Sequence, residues 1–133
     1  MTSRIFMPAN CVSATERTLP VGTRLEEYEI ESALAQSSTA VVYLAYDRVL
    51  KLRVAIKEYM PSALALRSAD TQVVLRERAQ AQSFEYGRQA FIDEARVLAR
   101  CEHGALLRTL RILKHHGTVY RVMRYCPGPT LRE

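Results

Sequence analysis

Three strand signals fall within the 32 residues from Tyr28 to Tyr59, and this spacing limits the fold more than any other feature. Tyr28, Ile30, Ser32 and Leu34 alternate with Glu29 and Glu31, the pattern of a half-exposed strand. Polar 35-AQSST-39 leads into 40-AVVYLAY-46, which is β-branched and aromatic. The turn 47-DRVLK-51 then leads into 52-LRVAIKEY-59. A parallel crossover needs a dozen or more residues, so connections this short predict an antiparallel meander.

The flanking sequence divides into a leader and one domain. Residues 1–20 mix Ser, Thr, Asn and Pro without period and read as a flexible leader, leaving 21–133 as the domain. Residues 60–82 begin with Met-Pro-Ser and hold one β-prone piece, 71-TQVVL-75. Ser83 is placed to cap a helix running to about Arg100. Phe91, Ala95 and Leu98 share one face of that helix, with Gly87 beside them, and Gln89, Asp93, Arg96 and Arg100 lie opposite. Glu94 breaks the sorting. It projects from the edge of the apolar face, where a carboxylate needs a cation nearby. Beyond Gly104, 106-LLRTLRIL-113 and 119-VYRVMRY-125 flank the turn 114-KHHGT-118, and 126-CPGP-129 breaks regular structure. The predicted order is three strands, a helix and two strands, an α+β fold.

Bulk properties narrow the function classes. With 133 residues, 48% hydrophobic and 25% charged, the chain has the profile of one soluble globular domain. No apolar run reaches bilayer length, and the N-terminal stretch lacks the apolar core of a signal peptide, so no membrane partner is expected. Three widely spaced cysteines argue against a disulfide framework and for a reducing compartment, the cytoplasm. Residues 1–94 carry 11 Lys/Arg against 12 Asp/Glu, whereas residues 95–133 carry 8 against 2. That basic half lacks the interleaved aromatics of a single-strand binder, so solvated strand and helix faces explain it better than nucleic acid. His115 and His116, adjacent in a turn, point apart, and neither they nor His103 and Cys101 have metal-ligand spacing. No metal site is expected, and Cys101 reads as a core residue rather than a nucleophile.

The element order, taken with particular residues, resembles the N-terminal (ATP-binding) lobe of the bacterial serine/threonine protein kinase family over about residues 19–133. Val54-Ala55-Ile56-Lys57 is similar to the strand motif whose lysine contacts the α- and β-phosphates, and Glu94 to the αC glutamate that pairs with it. His103-Gly104-Ala105-Leu106-Leu107 looks like a worn form of the family's sequence after αC. In 122-VMRYCPG-128, similar to the hinge, Met123 takes the gatekeeper position and Arg124 stands where a glutamate is common. The segment 57-KEYMPSALALR-67 and the start 19-LPVGTRLEEYEI-30 look like the bacterial branch. The resemblance implies a five-stranded antiparallel sheet with one αC-like helix. It also implies a nucleotide site formed by Val42, Ala55, Lys57, Met123 and Tyr125, with Ser37 and Ser38 in the phosphate loop.

Two departures bear on function. The family's G-x-G-x-x-G-x-V aligns with Ala35 through Val42, and all three glycines are gone. Glycine there lets backbone N–H groups approach phosphate, and each Cβ added obstructs that approach. The sequence also contains no H-R-D catalytic loop and no D-F-G, and its only aspartates, Asp47, Asp70 and Asp93, fall in a turn, a linker and the outer helix face. The expectation is therefore a pseudokinase-like small lobe without phosphotransfer. It would hold no cofactor and act through a protein partner or self-association on its αC and cleft-side surface. The alternative is the ATP-binding lobe of a longer kinase, truncated at the hinge, with ATP and magnesium as its ligands and Lys57 and Glu94 as an ion pair.

Overall fold

A computed structural model of the chain describes residues 17–100 and 108–125. In chain order these form β1 (Arg24–Leu25), β2 (Tyr28–Gln36), β3 (Ala40–Asp47), β4 (Leu52–Tyr59), β5 (Ala65–Arg67), β6 (Val73–Leu75), α1 (Ala81–Ala99), β7 (Thr109–His115) and β8 (Thr118–Arg124). Six strands make one antiparallel sheet in the order β1-β2-β3-β4-β8-β7, and β5 and β6 pair separately. The meander read from 28–59 is therefore present. The sheet has six strands rather than five because Glu26, at φ 56°, turns the chain so that Arg24–Leu25 folds back on Tyr28–Glu29. Burial of Leu25 favours this added strand. Helix α1 starts at Ala81, two residues before the predicted cap, and Gln80 at its N-cap makes no side-chain capping bond.

Local chemistry closes each turn. Asp47 ends β3 and accepts hydrogen bonds from Val49 N and Leu50 N at its Oδ1, both at 2.9 Å. Between β7 and β8, His116 and Gly117 both have positive φ, 56° and 76°, the two-residue hairpin turn that matches strand twist. The sheet curls until β7 meets the β1–β2 turn. Arg111 bonds Glu27, and His115 Nε2 lies 2.8 Å from Glu26 Oε2.

The concave face holds the core: Ile30, Val41, Tyr43, Val54, Ile56 and Val122 are all at most 2% exposed. Within it lies a carboxylate, Glu58, which is 0% exposed. Its Oε1 accepts the Tyr43 hydroxyl at 2.7 Å and Arg67 Nη2 at 2.6 Å, and its Oε2 accepts the Tyr120 hydroxyl at 2.6 Å. Burial lowers the Arg67 pKa, but the hydrogen bond and charge of Glu58 outweigh it, and the guanidinium is held above its ordinary value. Arg67 also donates to the Arg17 carbonyl from Nε and Nη2, and Leu19 N donates to the Tyr43 hydroxyl. Leu19, which falls in the leader by the sequence reading, is packed into the core. Tyr120 gives its one proton to Glu58, so the 3.0 Å contact with His116 requires a proton on Nδ1 of that ring.

Arg67→Met leaves the Glu58 charge buried and is expected to cost about 3–5 kcal/mol in urea unfolding. Arg53→Met, which removes an exposed pair with Glu31, is expected to leave the midpoint nearly unchanged. Equal shifts for the two variants would contradict the anchoring role of Arg67.

Candidate functional site: the convex face and the loop above it

Strand register decides which side chains share the face opposite the core. Val42 pairs with Lys57, and Lys57 with Arg121. In the next row, Leu44 pairs with Ala55, and Ala55 with Met123. Cross-strand partners project to the same side. The fold thus brings together Val42, Ala55, Lys57 and Met123, four residues that the kinase resemblance places in a nucleotide site. Tyr125 follows the end of β8, half-buried, and Ser37 and Ser38 are exposed in the β2–β3 loop. The hinge-like 126–128 and His103 through Leu107 lie outside the described residues.

The loop is bonded to itself and to its neighbour. Ser37 N donates to Ala40 O at 2.8 Å, and Ser37 Oγ accepts the N–H groups of Thr39 and Ala40 at 3.3 and 3.2 Å. A glycine at 37 would leave those two amides without this acceptor. On the other side, Met60 N donates to Thr39 O, and Ser62 N to Ser38 O, each at 2.8 Å. Ser62 Oγ adds a third bond, to Ser38 O. The loop is therefore fastened to the segment that follows β4.

Helix α1 packs over β7 and β8 on the same face and buries Phe84, Ile92 and Ala95. Phe91 and Leu98, predicted to share the buried face with Ala95, are half-buried. The helix is seated by Tyr59, whose hydroxyl donates to Phe84 O at 3.0 Å and whose ring lies 5.8 Å from that of Phe91. Gly87 makes this possible, because a Cβ there would stand 2.2 Å from the Tyr59 hydroxyl.

Lys57 and Glu94 do not meet as an ion pair. Among the described residues, no carboxylate lies within 4.0 Å of Lys57, whose Nζ sits 6.0 Å from the Phe91 ring centroid. Phe91 stands three residues before Glu94 on the helix, and it is what the lysine meets. Glu94 is exposed. Burial pushes the Arg121 pKa down and the Glu94 charge pulls it back up, leaving it below its ordinary value. The sequence reading passed over Arg121, although strand alternation places it two residues before Met123 on one face. It also passed over the bond between Glu58 and Arg67, which no local pattern announces.

Other candidates resolve differently. His115 and His116 contact Glu26 and Tyr120 respectively, and no group of metal-ligating residues occurs among those described. A cavity of about 680 Å³, lined by Tyr28, Leu52, Val54, Leu110, Arg124 and Tyr125 among others, opens on the core side of the sheet, away from Ala55 and Lys57. No helix among the described residues is long and apolar enough to cross a membrane.

No family model matches the chain, and no curated protein matches it. Solved structures do. The apo form of PpkA-294 superposes with a TM-score of 0.81 at 41% identity, over 87% of this chain and 41% of that one. Two mutant forms of the kinase domain of Mycobacterium tuberculosis PknI superpose with TM-scores of 0.52 and 0.53 at 22% identity, over 81% and 84% of this chain. At that identity the PknI forms speak for the fold alone. The chain spans about two fifths of the length of each structure: 41%, 36% and 38%.

Gly87→Ala is expected to destabilise the domain by about 1–3 kcal/mol, as overpacking does. Adding Tyr59→Phe, which removes the hydroxyl, is expected to restore part of the loss in thermal unfolding. No relief in the double variant would mean that Gly87 answers to something other than Tyr59.

Proposed function

Starting from a chain that has the small lobe of a bacterial serine/threonine protein kinase, we propose that it works as a pseudokinase-like module through protein contacts and not by phosphoryl transfer. The observation that carries this reading is the β2–β3 loop. Phosphate binding by this lobe relies on backbone N–H groups aimed at the nucleotide. Here the amides of Thr39 and Ala40 are turned onto Ser37 Oγ, and the carbonyls of Ser38 and Thr39 are held by residues 60 and 62. Freeing those amides means breaking both bonds to Ser37 Oγ, while three further bonds to the Ser38 and Thr39 carbonyls hold the turn in place. The distance between Lys57 and any carboxylate supports the same conclusion, since a phosphate-contacting lysine in this family is held by the αC glutamate.

A protein-contact role fits the surfaces that remain. Tyr86 and Val97 on α1 are 81% and 63% exposed, and Leu34 above the cleft-side face is 45% exposed. Each is a large apolar side chain left open to a partner. The cysteine pattern supports a reducing compartment, the cytoplasm, as the setting for this role.

The second reading, the ATP-binding lobe of a longer kinase, draws on the 41% identity to PpkA-294 and on the alignment of Val42, Ala55, Lys57 and Met123 on one face. Magnesium-ATP would then sit against those four residues, with Tyr125 at the hinge side and Ser37 and Ser38 above the phosphates.

A thermal-shift titration with ATP, with and without magnesium, separates the two. A ligand at about a hundredfold excess over Kd adds roughly 2.7 kcal/mol of stability. The module reading predicts no shift at millimolar ATP for the wild type or for Lys57→Ala. A magnesium-dependent shift that disappears in Lys57→Ala would establish the ATP-lobe reading instead.

A further inference from the structure

The cavity of about 680 Å³ on the core side of the sheet takes no part in either reading of the cleft face. Strand register builds it. Tyr28 pairs with Asp47, and Asp47 with Leu52; in the neighbouring row Val54 pairs with Arg124. Cross-strand partners project to the same side, so these side chains line one space. Leu50 and Leu110 complete the lining, and with Leu52 they are large apolar side chains left exposed. A concave, mostly apolar space of this volume with a few polar groups has the form of a small-molecule site.

The charged groups around the cavity differ in whether they are already matched. Arg53 Nε lies 2.7 Å from Glu31 Oε1. Arg111 bonds Glu27, and its guanidinium sits 5.6 Å from the Tyr28 ring centroid. Asp47 accepts two amides of its own turn. Of the three lining arginines, Arg124 alone has no carboxylate within 4.0 Å among the described residues. A smaller cavity of about 250 Å³ shares Leu110 and Arg124 with the first and adds Arg108. The unmatched guanidinium therefore stands beside both apolar walls and room for an anionic group.

We propose that this cavity binds a small amphipathic carboxylate, its apolar body against Leu52, Val54 and Leu110 and its head on Arg124. The planar guanidinium fork matches a carboxylate with two parallel hydrogen bonds, which fixes the orientation of the ligand. Charge decides against other occupants. A second copy of this chain would bring the same unmatched arginine to the contact, and a neutral ligand would leave Arg124 without a partner. The site lies on the face opposite Ala55 and Lys57, so it operates whether or not a nucleotide binds there.

Titration of the full chain with sodium decanoate, followed by NMR and compared with neutral decanol, tests the site. Decanoate is expected to move the methyl signals of Leu52, Val54 and Leu110 saturably and to leave those of Val42 and Ala55 in place. Decanol is expected to bind at least about tenfold more weakly, the scale of one charge-assisted hydrogen bond. Arg124→Met is expected to weaken decanoate by a similar factor and to leave decanol unchanged. Arg124 is exposed, so the variant should fold; if it does not, the comparison of the two ligands on the wild type still decides. Equal affinity for decanoate and decanol would overturn the proposal. So would signals that move on the Ala55 face instead, decanoate binding untouched by Arg124→Met, or no saturable binding.

Discussion

The Glu58 carboxylate is the interaction on which the rest of this domain depends. A charge with no exposure to solvent is tolerable only when it is paired and hydrogen-bonded, and here two tyrosine hydroxyls and one guanidinium engage it. Those three donors come from β3, β8 and β5, and Glu58 itself lies on β4. One group therefore fixes the relative placement of three sheet strands and the small β5–β6 hairpin. Arg67 extends its reach by binding the Arg17 carbonyl, and Tyr43 by accepting Leu19 N. The segment before β1 is pinned as a consequence. Burial and the negative charge of Glu58 both push the Tyr43 and Tyr120 hydroxyls far above their ordinary pKa, so both remain donors throughout the physiological range.

Residue 58 sits between Lys57 and Tyr59, and this adjacency links the anchor to the candidate site. Strand alternation directs Glu58 into the core and sends Lys57 and Tyr59 to the other face. Tyr59 seats α1 through Phe84 and Gly87, and residues 60 and 62, immediately after, hold the loop carbonyls. A rigid strand thus delivers a helix seat, a loop clasp and a lysine within six residues. Among the described residues the antiparallel sheet and helix of a kinase small lobe are present, while the Thr39 and Ala40 amides bond Ser37 Oγ and Lys57 faces the Phe91 ring.

Much of this was legible in the sequence, for identifiable reasons. Short connections forced the meander, and period-two alternation placed Ala55 and Lys57 together. The same alternation, applied to 119-VYRVMRY-125, puts Arg121 beside Met123 and makes the cation opposite Lys57 readable in retrospect. The strand Arg24–Leu25 was not readable, because two residues have no period and the turn depends on a positive φ at Glu26. The helix start also escaped: Ser83 has the right chemistry for a cap, yet the helix runs on from a 3-10 turn at Arg78–Gln80 and begins at exposed Ala81 without one. Pairing of Lys57 with Glu94 followed from chemical complementarity alone, and complementarity does not report where the fold sends a side chain: Lys57 lies over the Phe91 ring. Glu58 and Arg67 are joined across the connection between β4 and β5, which belong to different sheets, a relation that depends on tertiary structure and leaves no periodic trace.

Amide hydrogen exchange in the β2–β3 loop tests most directly whether this lobe has turned its phosphate-binding amides inward. The account predicts that the N–H groups of Thr39, Ala40, Met60 and Ser62 exchange slowly, because each is bonded in the folded chain, and that millimolar magnesium-ATP leaves their rates unchanged. Rapid exchange at Thr39 and Ala40 that slows on adding nucleotide would contradict it, since those amides would then be open to solvent and available to a phosphate.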